Sequence, residues 1–140
     1  MTLKEAKHNY LTSPNDETYR DFCAALQNSK MFMLAEWNLT KSEEQQFKDF
    51  EPDDVIHIDT KMLPVAFEFD ENRWIIPVFS DRSSITDRYS KKYTVLECNS
   101  RTVLVTYNAY KKVTGKEIRI LLDMNSESLD FDDEELLYSK

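Results

Sequence analysis

At 140 residues the chain has the length of one domain, and its 41% hydrophobic and 31% charged residues suit a packed core beneath a water-facing exterior. Aliphatic and aromatic residues recur throughout and no apolar run approaches the ~20 residues that cross a bilayer, which argues against intrinsic disorder and against a membrane span. A net charge of −8 opposes nucleic acid, and a single glycine, Gly115, is too few for a P-loop, a dinucleotide fingerprint or a glycine-rich kinase loop.

Leu3, Ala6, Tyr10 and Leu11 predict a short amphipathic helix. Ser13-Pro14-Asn15-Asp16 reads as a second helix start, with serine as N-cap and proline in the first turn. Tyr19, Phe22, Cys23 and Leu26 then fall on one stripe, and Asn28-Ser29 ends the helix. Lys30–Ala35 is a short apolar run that predicts a strand. Thr40-Lys-Ser-Glu43 has capping-box spacing and could open a helical turn to Phe47, after which the stretch to Asp54 is acidic and irregular.

Residues 62–80 predict a hairpin. Leu63, Val65, Phe67 and Phe69 alternate, Asp70-Glu71-Asn72 turns, and Trp74–Phe79 returns. Asn72 suits the left-handed conformation of a three- to five-residue hairpin loop. The returning strand is apolar on both faces, so it belongs near the middle of a sheet with helices on at least one side. Pro77 withholds a ladder N–H, and a local break in pairing is expected there. Ser80–Ser84 predicts a helix start running to about Tyr89, and Tyr93–Cys98 a strand. Residues 102–106 are rich in β-branched side chains. Even so, Asn99-Ser100 as cap, a shared face for Val103, Tyr107 and Tyr110, Lys111-Lys112 near the end and Gly115 after it favour a helix to Thr114. Glu117–Met124 predicts a strand with Ile118, Ile120, Leu122 and Met124 on one side, and Phe131–Tyr138 a final helix with acids in its first turn. The expected fold class is α+β, a mainly antiparallel sheet of four to five strands with helices packed against it, in one domain over 1–140.

Three segments carry a resemblance. They are Phe22…Leu26…Met31-Phe-Met-Leu34, then Leu63-Pro64…Trp74-Ile-Ile-Pro77-Val-Phe79-Ser80-Asp81, then Ile120-Leu-Leu-Asp-Met-Asn125…Leu129…Glu134-Glu-Leu136. In this order they resemble the SseB N-terminal domain family, the enhanced serine sensitivity proteins of bacteria, over roughly 15–138, with 1–12 as an added N-terminal helix. Ser126 departs from the proline usual in that family. The resemblance implies an α+β domain of poorly defined biochemical role and transfers no catalytic residue.

Candidate chemistry is sparse. His57 with Asp53, Asp54 and Asp59 offers metal-ligand types, but zinc wants three or four converging ligands and the other histidine is His8. Asp130–Glu135 lacks the glycine of a calcium loop, and its acids are better explained by a helix N-terminus. Ser80, Ser83 and Ser84 have no nucleophile elbow around them and read as caps. Cys23 and Cys98 give no disulfide framework and read as small buried hydrophobes. No cofactor or metal is expected. The charged start Met1–His8 lacks a signal-peptide core, which points to the cytoplasm. Residues 36–71 hold three bases and eleven acids, whereas 73–126 hold ten bases and five acids. The expected function is therefore a non-catalytic interaction domain meeting a protein partner through an acidic surface, with Trp37, Asp53, Asp54, Asp59, Asp70 and Glu71 as candidate contacts. The alternatives are an immunity-type inhibitor of a basic toxin and an enzyme whose acid–base pair is assembled from distant residues.

Overall fold

The computed structural model describes residues 1–37, 62–124 and 127–138. Helix α1, Leu3–Thr12, opens with a capping box between Thr2 and Glu5. The N–H of Ser13 donates to the Asn9 carbonyl, so this serine closes α1 rather than opening α2 as the sequence suggested. Asn15 takes the cap of α2, Asp16–Asn28, and its side chain accepts from Thr18 N at 2.9 Å. The buried stripe of α2 is Phe22, Cys23 and Leu26.

Among the described residues seven short strands form one sheet: β1 (Met31–Trp37), β2 (Met62–Pro64), β3 (Phe67–Asp70), β4 (Arg73–Phe79), β5 (Thr94–Cys98), β6 (Glu117–Leu122) and β7 (Leu129–Phe131). This corrects the expected four to five strands. The sheet is also mixed, because β4 and β6 run parallel while the other pairings are antiparallel. The cause is the connection. A 3-10 turn (Arg82–Ser84), helix α3 (Asp87–Lys92), β5 and helix α4 (Ser100–Thr114) intervene between β4 and β6, a crossover of the length parallel neighbours require.

The middle of the sheet is a fork. β1 and β4 pair directly only at Phe32–Phe79 and Met33–Val78. Beyond that point β2 pairs with Ala35–Trp37 of β1, and β3 pairs with Arg73–Ile75 of β4. Pro77 lies where the β4 edge passes from β3 to β1. Val78 accepts from Asp123 N on the β6 side, so by alternation the missing Pro77 N–H faces the fork, where no ladder bond is needed. The expected break is present on that edge alone. The hairpin loop is tighter than expected: Asp70 pairs with Arg73 across Glu71-Asn72, and Asn72 does not adopt positive φ. Asp70 Oδ1 instead accepts from Asn72 N at 2.8 Å, closing the turn through a side chain.

Helices α1, α2, α4 and α5 (Asp133–Leu136) cover one face, where Leu3, Phe22, Leu26, Val103, Tyr107 and Leu136 meet Met33, Ile76, Val78 and Ile120. Ile85, Tyr89 and Tyr93 cover part of the other face over Leu34, Val65 and Phe79. The helix expected at 80–89 is two elements, each with its own cap position, Asp81 for the 3-10 turn and Thr86 for α3. The expected final helix is also shorter, since Phe131 belongs to β7 and Asp132 caps α5. Met124 leaves the face of Ile118, Ile120 and Leu122 for the second cluster, because Asp123 at φ 54° ends the alternation. Among the described residues no helix is long and apolar enough to cross a membrane.

Candidate functional site

Of the acids predicted as contacts, Asp70 and Glu71 fall on described structure, in the β3–β4 hairpin. Asp70 and Glu71 line an open groove of about 420 Å³ with Asn72, Arg73 and Glu117. Arg73 Nε donates to Glu117 Oε2 at 3.2 Å across the parallel pair. Phe67 pairs with Ile75, Glu68 with Trp74 and Asp70 with Arg73, so Phe69 is an extra residue in a β-bulge. The bulge turns the Phe69 ring outward, where it is 63% exposed, and the Arg73 guanidinium lies 5.7 Å from its centroid. Alternation with Phe67 reads Phe69 as a core residue, and only the register shift reveals otherwise. Glu68 and Glu36 are exposed as well. Trp37 ends β1 in register with Met62, while Asp53, Asp54, Asp59 and His57 lie outside the described residues. The possible helical turn at 40–47 also lies outside them.

A second constellation is buried. Lys7 Nζ of α1 donates to Asp123 Oδ2 at 2.9 Å, and the side chains are 0% and 1% exposed. Ser80, at the end of β4, donates its N–H to Asp123 Oδ1 at 2.8 Å and its Oγ–H to Oδ2 at 2.7 Å. Asp123 is the one non-glycine residue with positive φ among the described residues. The node therefore ties α1 to the C-terminal ends of the parallel strands β4 and β6. Sequence reasoning missed Lys7. The available signal was its spacing, four residues after Leu3 and one after Ala6, inside the apolar stripe.

The Ser80 hydroxyl is a donor to Asp123, a carboxylate that also accepts from the Lys7 ammonium and from the Ser80 N–H. Ser83 and Ser84 serve the Asp81 cap, with Ser84 N 3.0 Å from Asp81 Oδ1. The Ser83 hydroxyl, together with the Ser84 N–H and Lys4, holds Asp81 below the ordinary carboxylate range.

Carboxylate oxygens of Asp132, Glu134 and Glu135 lie within 4.8 Å of one another. Asp132 and Glu135 take their donors from within the domain. Asp132 accepts from Glu134 N at 2.9 Å, Glu135 accepts from Asp132 N at 3.1 Å, and Arg119 donates to Asp132 at 2.8 Å. This is a capping box stitched to β6, in keeping with the helix-terminus account of these acids. Cys23 and Cys98 are free and buried; burial pushes both thiols up, Cys98 to about 11.

The described residues thus form an α+β domain with a mixed, forked sheet, clasped by a buried Lys–Asp pair. The chain belongs to the family of the SseB protein N-terminal domain, which it matches over residues 3–137. Helix α1 and its Lys7 fall within the matched range. Comparison with curated proteins and with solved structures found no significant match.

Proposed function

We propose that this domain is a non-catalytic interaction module of the cytoplasm that meets a basic protein partner through the acidic surface around the β3–β4 hairpin. The observation that carries this reading is the Phe69 bulge. A large apolar ring stands out from a short strand against the Arg73 guanidinium, and Glu68, Asp70 and Glu71 are its exposed neighbours in sequence. An exposed aromatic is the kind of anchor on which binding energy concentrates. The neighbouring carboxylates would steer a basic partner and set the salt dependence of association. In sequence, residues 36–71 hold eleven acids against three bases, Asp53, Asp54, Asp59, Asp70 and Glu71 among them, and Trp37 lies in the same stretch.

Affinity capture from the source cells at low ionic strength, run beside variants, tests the proposal. Phe69→Ala and the pair Asp70→Asn/Glu71→Gln should each reduce recovery of the captured partner by about tenfold without lowering the unfolding midpoint, since the side chains are exposed. Raising ionic strength from about 0.05 M to about 0.5 M should weaken the wild type similarly. Capture unmoved by both the substitutions and the salt would refute the acidic-surface reading.

A further inference from the structure

Helix α1 is seated by charge as much as by apolar surface. Its buried residues are Leu3, Ala6 and Lys7, and Tyr10 is half-buried, its ring 5.9 Å from that of Phe22 and 5.6 Å from that of Tyr19. Lys4, Lys7 and His8, at i, i+3 and i+4, share one side of the helix, and each meets a carboxylate beyond it. Lys4 lies 3.6 Å from Asp81 after β4, Lys7 2.9 Å from Asp123 after β6, and His8 Nδ1 2.8 Å from Glu127 before β7.

Open clefts flank this seat. One, of about 410 Å³, lies between the first turn of α1 and Ser80-Asp81. Another, of about 420 Å³, lies between the later turns of α1 and Glu17 and Asp21 of α2. The turn into α2 passes through Pro14, which has no N–H with which to bond one helix to the other. Within the seat, the Lys7 ammonium has three donors and finds one acceptor among the described residues, Asp123 Oδ2. Such a pair adds little net stability over an apolar one, because desolvation offsets the attraction.

We propose that α1 is a releasable strap over the carboxyl ends of β4 and β6, and that a basic helix of a partner protein, with lysines three residues apart, displaces it. The seated α1 is the template for that occupant. Its ammonium at Asp123 makes the seat selective for a helix that brings a lysine to the same point, and the −8 charge of the chain draws a basic helix in. Lys7 is then an internal competitor, holding the seat closed until the partner arrives. The seat shares no residue with the β3–β4 hairpin, so either reading can fail alone.

Hydrogen exchange of the full chain tests the strap residue by residue. The α1 amides should exchange at least about tenfold faster than those of β4 and β6, through an opening that leaves the sheet closed. Raising ionic strength from about 0.05 M to about 0.5 M should speed α1 about threefold, as should Lys4→Gln/His8→Gln, with β4 and β6 unmoved. That variant, whose own strap is the weaker competitor, is then mixed with a synthetic peptide of residues 1–14. At about 1 mM, near the effective concentration of a tethered helix, the peptide should strip α1 of its remaining protection. The Ser80 and Asp123 amides should keep theirs, and a Lys4→Gln/Lys7→Gln twin of the peptide should need at least about tenfold more. Exchange of α1 only together with the sheet, equal action of the two peptides, or action of neither would overturn the proposal. So would release of α1 on raising protein concentration alone, which would make a second copy the occupant.

Discussion

Asp123 combines two costly features, a left-handed backbone without glycine and a carboxylate removed from water. Both are held by their partners, because the turn aims the side chain at the Ser80 N–H, the Ser80 hydroxyl and Lys7 at once. Removing one partner leaves the other charge buried and uncompensated. Asp123→Ala should cost about 3–5 kcal/mol in chemical denaturation. Lys7→Met should also destabilise, and Lys7→Met/Asp123→Asn should lose much less than the sum of the two single losses. Additive losses would mean that the pair is not coupled. The two thiols make a second case at this scale. Burial and the pKa rise at Cys23 and Cys98 predict that a disulfide reagent labels the native protein slowly and the unfolded chain fast, with rates following denaturant through the unfolding transition. These cysteines were legible because small apolar roles suit lone thiols. Lys7 was missed because a charge inside a stripe is ordinarily assigned to solvent.

At the scale of elements, α4 shows how local chemistry settled an ambiguous segment. Val103, Val105, Thr102 and Thr106 favour a strand by propensity, yet the Asn99 side chain accepts from Thr102 N at 3.1 Å and Gly115 ends the helix at φ 66°. A side chain at Gly115 would meet nothing within 4 Å, so the penalty of replacing it is conformational rather than steric. Gly115→Ala should lower stability by about 1–2 kcal/mol and Gly115→Asn by less, as read from thermal unfolding. Equal effects would argue against the left-handed cap as the cause. The β3–β4 hairpin was legible as an alternating run, a turn and a returning run apolar on both faces, although the alternating run Leu63–Phe69 is divided between β2 and β3. Its bulge was not, since the identity of the paired residues depends on where β4 lies against β3. The same holds for β2, whose place beside β1 depends on the opening of the fork.

Across the whole molecule, charge is unevenly distributed, with an acidic hairpin and an acid-free α4. Stability should respond to pH partly through Glu135. Burial raises its pKa, backbone N–H donors offset this in part, and Asp132 adds to the rise. A carboxyl whose folded pKa lies above its unfolded value favours the folded state most below the unfolded value of about 4.3. That contribution is lost as pH rises through the folded pKa. Glu135→Gln keeps an acceptor for Asp132 N without the charge, so its urea midpoint should exceed that of the wild type at neutral pH. The gap should close as pH falls to about 4. A gap independent of pH would locate the effect in packing instead.

Periodicity, caps and turn residues, all interactions within a few positions, were enough to read the helices, most strands, the α+β class and the family resemblance from the chain itself. The parallel β4–β6 pairing, the exposed Phe69 ring and the meeting of Lys7, Ser80 and Asp123 were decided only by the tertiary structure. Each depends on contacts between segments distant in sequence, and a register shift of one residue or the rotation of one helix changes which side chains meet without altering any local pattern.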